Sequence, residues 1–173
     1  MGEDNTEIQD TERIANKLKK ISVFMNAEGM VALDYQRGGC TIRVLDDGNG
    51  GVDSGRLGDY LNAYQARERE RSEGGIPDNC FEIARRTVNE GRASGRIMAD
   101  AGVLYFTGYY NHCICYDELN SGRCVAVDLT ASRNIDEGAG NFDVLAIAAS
   151  DLNQLLERVG KLFGGEWFVM QND

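Results

Sequence analysis

The fold of this chain is best predicted from residues 111–130, NHCICYDELNSGRCVAVDLT. Two runs rich in β-branched and aromatic residues flank a short polar turn, which is typical of a β-hairpin. If the turn is centred at Asn120, the opposed pairs are Tyr116 with Cys124, Ile114 with Ala126, and His112 with Asp128. Directly opposed side chains share a face, so this register predicts that Asp128 orients the imidazole of His112. Moving the turn centre by one residue would displace each partner by two positions.

The segment before this hairpin is predicted to place a cysteine at the start of a helix. Residues 79–84, NCFEIA, follow a glycine-containing loop. Asp78 or Asn79 can cap the helix, and Gly91 is a suitable terminator. Unpaired backbone N–H groups and the dipole at a helix start favour a thiolate over a thiol. Cys80 is therefore a candidate nucleophile.

Cys80, His112 and Asp128 can supply the three roles of a catalytic triad: nucleophile, general base and acid, and orienting carboxylate. This combination favours chemistry at an amide. A tetrahedral intermediate also needs hydrogen-bond donors for its oxyanion, and the backbone N–H of Cys80 is one natural source. The candidate side-chain donors are Asn79, Gln65, Gln36 and Asn62.

The order of these residues resembles that of known cysteine enzymes. The stretch from His112 to Asp128-Leu-Thr is similar to the H…VD-P-T hairpin of transglutaminase-like and papain-like enzymes, with Leu129 in place of the usual proline. NCFEIA and the later EGRAS resemble, more narrowly, the papain-like domains of bacterial polymorphic toxins and effectors. The resemblance covers residues 76–130. It implies catalytic Cys80, His112 and Asp128 in an α+β, papain-like fold, with the nucleophilic helix packed against an antiparallel sheet.

The same resemblance implies a cysteine-dependent amide hydrolase that acts on a protein substrate, such as a glutamine deamidase toxin or effector. A papain-like cysteine protease and a transglutaminase are the alternatives, because this superfamily carries several reactions on one fold. A further alternative is a non-catalytic interaction module with a papain-like fold, whose negative charge would attract a basic immunity or inhibitor protein. Selective labelling of Cys80 by iodoacetamide would distinguish an enzyme from a module.

Composition narrows the classes of partner and site. The 173 residues include 18 Lys and Arg against 28 Asp and Glu, and the formal net charge is −10. This acidity disfavours nucleic acid and anionic membranes as partners, since both attract basic surfaces. Neither a membrane-spanning apolar run nor a signal peptide is recognisable, so we expect a cytoplasmic protein, or one delivered into a target cell. The single His excludes a His-rich metal site, and we expect no cofactor.

Periodicity predicts the other elements of a single domain over residues 1–173, with residues 1–72 as an N-terminal helical and hairpin subregion. A hairpin is predicted to turn at Gly38 and Gly39. The predicted helices span residues 6–22, 57–71 and 150–165. The other predicted strands span residues 102–109, 142–149 and 167–170.

Zinc binding is the main competing use of these residues, since His112, Cys113, Cys115 and Cys124 would form a Cys3His set. Strand alternation directs Cys113 and Cys115 away from the face that carries His112, so the four side chains would not converge. We therefore assign Cys113 and Cys115 to the core.

Overall fold

The computed structural model describes residues 17–46, 48, 51–95, 103–107, 112–131 and 141–170. The strands within these residues are β1 (Lys19–Met25), β2 (Val31–Arg37), β3 (Cys40–Asp46), β4 (Val103–Thr107), β5 (His112–Glu118), β6 (Cys124–Asp128), β7 (Val144–Ala149) and β8 (Glu166–Met170). The helices are α1 (Ser54–Ser72), α2 (Cys80–Ser94) and α3 (Leu152–Phe163). None of these described helices has the length and apolar character needed to cross a bilayer.

The described strands form one sheet in the order β1-β2-β3-β7-β6-β5-β4-β8. β3 and β7 run parallel, and every other neighbouring pair in this sheet is antiparallel. The parallel pair joins the N-terminal strands to the C-terminal strands. The fold is therefore α+β with a mostly antiparallel sheet, as the sequence predicts.

Helices cover both faces of the sheet around β5. Cys115 of β5 donates a hydrogen bond to the carbonyl of Ala84 in α2, with sulfur and oxygen 3.7 Å apart. His112 of the same strand packs against Phe163 of α3, with ring centroids 5.3 Å apart. Because residues an odd number apart in a strand point to opposite faces, α2 and α3 lie on opposite sides of the sheet.

The core lies between these helices and the central strands. β7 is buried along its whole length. Its sequence, VLAIAA, is a continuous apolar run, as expected for a strand that is covered on both faces. Arg43 of β3 is also buried and forms a bidentate ion pair with Asp34 of β2, at 2.7 and 2.9 Å. The guanidinium carbon lies 4.8 Å from the ring centroid of Phe24 and 4.7 Å from that of Phe142. This pair joins β2 to β3 inside the protein.

Most of the predicted turns and helix ends are confirmed. Gly38 and Gly39 connect β2 to β3 with φ values of 57° and 85°, and Asn79 caps α2 through its side chain. The prediction that Gly91 terminates α2 is wrong. Gly91 is buried within the helix, which ends before Gly95, where a φ of 70° suits a left-handed cap.

The predicted helix over residues 6–22 is wrong where the structure can test it. Residues 6–16 lie outside the described residues, whereas Lys19–Met25 form β1, paired with β2. Ile21 and Val23 are stiff at χ1 and suit a strand. The helical spacing of a few apolar residues is a weaker determinant here than the neighbouring strand that accepts their backbone hydrogen bonds.

Candidate active site

The hairpin of β5 and β6 turns one residue later than predicted. Cys124 lies opposite Glu118, whereas a turn centred at Asn120 would place it opposite Tyr116. Gly122 has a φ of 84°, a conformation that favours glycine and helps to fix the turn at its observed position. The predicted register is therefore wrong by two positions along the partner strand.

This displacement leaves His112 and Asp128 on one face, because strand residues two apart point to the same side. The two side chains meet diagonally rather than directly across the hairpin. Nε2 of His112 and Oδ2 of Asp128 are 2.7 Å apart, and each residue is only 1% exposed. Since Nε2 faces the carboxylate, Nδ1 is the ring nitrogen that remains to interact with Cys80.

The residues that follow Asp128 hold its carboxylate in place. Oδ1 accepts hydrogen bonds from the backbone N–H of Thr130 at 2.8 Å and from its hydroxyl at 3.1 Å. Both carboxylate oxygens therefore have hydrogen-bond partners. The contacts with Thr130, just after β6, fix the orientation of the carboxylate that faces His112. An Asp followed two residues later by Thr is a recognisable turn pattern, so the sequence Asp128-Leu-Thr already indicates this contact.

Two aromatic side chains enclose the ring of His112. The ring centroid of Phe163 lies 5.3 Å from that of His112, and Trp167 packs edge-on at 6.1 Å. The indole N–H of Trp167 donates to the carbonyl of Gly164 at 3.0 Å, which fixes the ring. These residues exclude water from one side of the imidazole and strengthen its interaction with Asp128. No local pattern predicts their position, because they are distant in sequence from His112.

Cys80 begins α2 at the end of the sheet where β5 starts. Ala84, which accepts the hydrogen bond from Cys115, lies four residues after Cys80 in α2. Cys115 lies two residues after Cys113 in β5. Four helical residues rise about 6 Å and two strand residues about 7 Å, so the helix and the strand advance in step. Cys80 is thereby brought beside Cys113, and both line a small pocket with Asp128.

Electrostatic interactions strongly acidify the thiol of Cys80. A hydrogen bond from the Cys113 thiol is the largest influence on its pKa and lowers it; burial raises it, and hydrogen bonding to His112 lowers it further. The net result is a pKa of about 4, compared with a usual value of 9.0. This is the behaviour of a thiol that is ionised at neutral pH.

His112 is shifted in the opposite direction. Burial lowers its pKa, but hydrogen bonds to Asp128 and Cys80, together with their negative charges, raise it from 6.5 to about 9. Between the two pKa values the site therefore holds a thiolate in contact with an imidazolium. Such a pair combines a nucleophile with a proton donor.

Asn79 is the candidate oxyanion donor that adjoins Cys80. Its side-chain oxygen accepts a hydrogen bond from the backbone N–H of Glu82 at 2.8 Å, which leaves the amide NH2 group to donate. The backbone N–H of Cys80 lies at the same helix end, where N–H groups lack helical partners.

The other three side-chain candidates lie far from Cys80, which corrects the prediction that they could serve its oxyanion. Asn62 of α1 accepts a hydrogen bond from Arg37 of β2 at 2.6 Å. Gln65 of α1 contacts Cys40 of β3 at 3.5 Å. Gln36 is in β2, which β3, β7 and β6 separate from β5, a distance of about 19 Å at the usual strand spacing. Sequence spacing carries no information about this separation.

The remaining thiols have other partners. Cys124 contacts the hydroxyl of Tyr116 at 3.3 Å, and Cys115 bonds to the α2 backbone. Cys113 is buried, as its assignment to the core requires, but it also contacts Cys80, which the sequence did not predict. Among the residues that the structure describes, no group of three or more His, Cys, Asp or Glu side chains could hold a metal ion.

Comparison of this chain with protein-family models, curated proteins and solved structures finds no match. The function is therefore inferred from the geometry of Cys80, His112 and Asp128.

Proposed function

We propose that this protein is a cysteine-dependent amide hydrolase with a papain-like fold that acts on a protein substrate, in the manner of a glutamine deamidase toxin or effector. The observation that carries this proposal is the 2.7 Å contact between His112 and Asp128, at the end of the sheet where Cys80 begins α2. In this proposal Cys80 is the nucleophile, His112 is the proton donor and Asp128 is the orienting carboxylate.

In the first half-reaction the Cys80 thiolate attacks the carbonyl carbon of a carboxamide and forms a C–S bond. The electron pair of the C=O bond moves onto oxygen, where the backbone N–H of Cys80 stabilises it. As the oxyanion collapses, the C–N bond breaks and the imidazolium of His112 gives its proton to the leaving nitrogen. Ammonia departs, and a thioester remains on Cys80.

In the second half-reaction the neutral His112 takes a proton from water as the oxygen attacks the thioester. The C–S bond breaks, the product leaves as a carboxylic acid, and the thiolate and imidazolium are restored. Asp128 keeps the ring oriented throughout and stabilises its protonated form, because its carboxylate is fixed by Thr130. The net reaction exchanges an amide nitrogen for a water oxygen.

The exposure of the site favours a side-chain amide as the substrate. His112 and Asp128 are buried, whereas Cys80 is half-buried and therefore partly accessible to a substrate. A carboxamide at the end of a glutamine side chain can reach such a sulfur while the substrate backbone stays outside. A peptide bond would have to bring its backbone into contact with Cys80.

Activity is tested by incubating the protein with glutamine-containing proteins, such as casein, and measuring released ammonia and intact mass. Deamidation is expected to release ammonia and produce the mass change of an amide-to-acid exchange. Fragments would instead indicate a protease, and products enlarged by an added amine a transglutaminase. Cys80→Ala should abolish turnover, whereas Cys40→Ala should not, because Cys40 lies in β3 beside Gln65.

The reactivity of Cys80 is tested without knowledge of the substrate. Cys80 and Cys40 are both half-buried thiols. Iodoacetamide at pH 6 should alkylate Cys80 well before Cys40, because the pKa of the Cys80 thiol is strongly lowered. Equal labelling rates for the two thiols, or equal ammonia release by wild type and Cys80→Ala, would end this proposal.

A further inference from the structure

We propose that Cys113 is the resolving thiol of a reversible redox site: a peroxide oxidises Cys80, and Cys113 then closes a Cys80–Cys113 disulfide that blocks the nucleophile. This inference deepens the proposed function, because it assigns a mode of regulation to the same sulfur. It requires that the two thiols lie close together and that peroxide can reach only one of them. The other thiol must stay reduced until it reacts with its oxidised neighbour.

The geometry places the two sulfurs next to each other. The hydrogen bond between Cys115 and the carbonyl of Ala84 fixes α2 beside β5. Because the helix and the strand advance in step, Cys80 contacts Cys113 at the preceding position along both elements. Both residues line the same small pocket, and no disulfide joins them in the structure, where both are free thiols.

Their exposure differs in the way that a peroxide-sensitive pair requires. Cys80 is half-buried, so a small peroxide can reach it, whereas Cys113 is only 3% exposed. Oxidation therefore begins at the thiolate of Cys80, since the thiolate is the form that reacts. Cys113 is protected from direct attack and can be reached only by its neighbour.

The oxidation balances in two steps. The Cys80 thiolate attacks the O–O bond of a peroxide, forms a sulfenic acid and releases hydroxide, or an alkoxide from an alkyl peroxide. The sulfur of Cys113 then attacks the sulfur of Cys80, the S–O bond breaks, and the sulfenic hydroxyl leaves with the Cys113 proton as water. Two thiols have lost two electrons, and a dithiol reductant restores both.

The second step is favoured by the change of charge at Cys80. A hydrogen bond to the Cys80 thiolate, burial and the negative charge of Cys80 raise the pKa of Cys113 and keep it protonated. A sulfenic acid is neutral, so the contribution of the Cys80 thiolate disappears once Cys80 is oxidised, whereas that of burial remains. Cys113 is thus inactive toward the reduced nucleophile and becomes available to the oxidised one.

The experiment treats the full chain with a several-fold molar excess of hydrogen peroxide, because a sulfinic acid consumes two peroxides per thiol; it then blocks free thiols and maps the cysteines after digestion without reductant. In wild type we expect Cys80 and Cys113 in one linked peptide, a mass loss of two hydrogen atoms, and recovery of both free thiols after dithiothreitol. Trypsin leaves Cys113 and Cys115 together in residues 97–123, so Cys115→Ala serves as the matched control. It should form the same linked peptide.

Cys113→Ala should instead accumulate the sulfinic acid of Cys80, with less than about a tenth of the Cys80 thiol recovered by dithiothreitol. Cys113→Ser repeats the comparison with a polar replacement if the alanine variant folds poorly. Sulfinic acid without a linked peptide in wild type, or a linked peptide through Cys115, would overturn the inference. The readout is thiol chemistry, so a chain that forms the disulfide but releases no ammonia would contradict only the proposed function.

Discussion

Asp128→Asn tests the arrangement of the candidate site most directly. This substitution keeps the shape of the side chain and an oxygen that can accept from Thr130, but it removes the negative charge that faces Nε2 of His112 at 2.7 Å. The chain contains a single His. One imidazole resonance therefore reports the ionisation of His112 without assignment.

The expected magnitude follows from the pKa of His112. Its rise from 6.5 to about 9 corresponds to roughly 3 kcal/mol of preference for the imidazolium. Burial opposes this rise, and the hydrogen bond to Asp128 is the largest influence that produces it. Removing the charge should lower the midpoint by more than about one pH unit. Cys80 alone would then have to offset the burial.

The measurement is a ¹H–¹³C correlation spectrum of the imidazole, recorded on the tag-free protein between pH 5 and 10. Wild type should titrate near pH 9, with the ring protonated below that pH, and Asp128→Asn should titrate well below it. Loss of the oriented imidazolium should also reduce the rate of amide hydrolysis by about 10²- to 10⁴-fold.

Asp117→Asn is the matched control for this titration. Asp117 is also a buried carboxylate in the hairpin, but it accepts a hydrogen bond from Tyr60 at 2.6 Å on the opposite face of β5. Its substitution should leave the His112 midpoint unchanged. An unchanged midpoint in a folded Asp128→Asn variant, or an equal fall in Asp117→Asn, would refute the assignment of Asp128 as the orienting group.

Two further predictions concern the support of the site and of the core. Thr130→Val removes the hydroxyl that donates a hydrogen bond to Asp128 at 3.1 Å and keeps the backbone N–H. We expect kcat to fall by about 10-fold with little change in KM, because a hydrogen bond to a charged group contributes about 1.5–3 kcal/mol. Steady-state kinetics with wild-type values would show that the hydroxyl does not position the carboxylate. Asp34→Ala removes the carboxylate that forms a bidentate ion pair with the buried Arg43 and should lower the free energy of unfolding in urea by about 3–5 kcal/mol. Glu157→Ala, which breaks an exposed pair with Lys161, should change it by less than about 1 kcal/mol, and equal effects of the two substitutions would contradict this reasoning.

The sequence was sufficient to predict the local elements of the site. Capping by Asn79, the start of α2 at Cys80 and the strands that carry His112 and Asp128 depend on nearby residues. Backbone conformation and capping act over a few positions, so a pattern of residue types can report them. The shared face of His112 and Asp128 was predictable for the same reason, since a displacement of two residues preserves strand alternation.

Tertiary structure decided what depends on the path of the whole chain. The order of the strands separates Gln36 from Cys80 and places β8 beside β4, which brings Trp167 to the ring of His112. Because α2 is aligned with β5, Cys113 lies beside Cys80. Residue types along the chain predict which elements form, but the contacts between distant elements depend on how their buried faces pack. The ionisation of Cys80 and His112 is therefore a property of the folded protein, because it depends on burial and on charges that only the fold brings together.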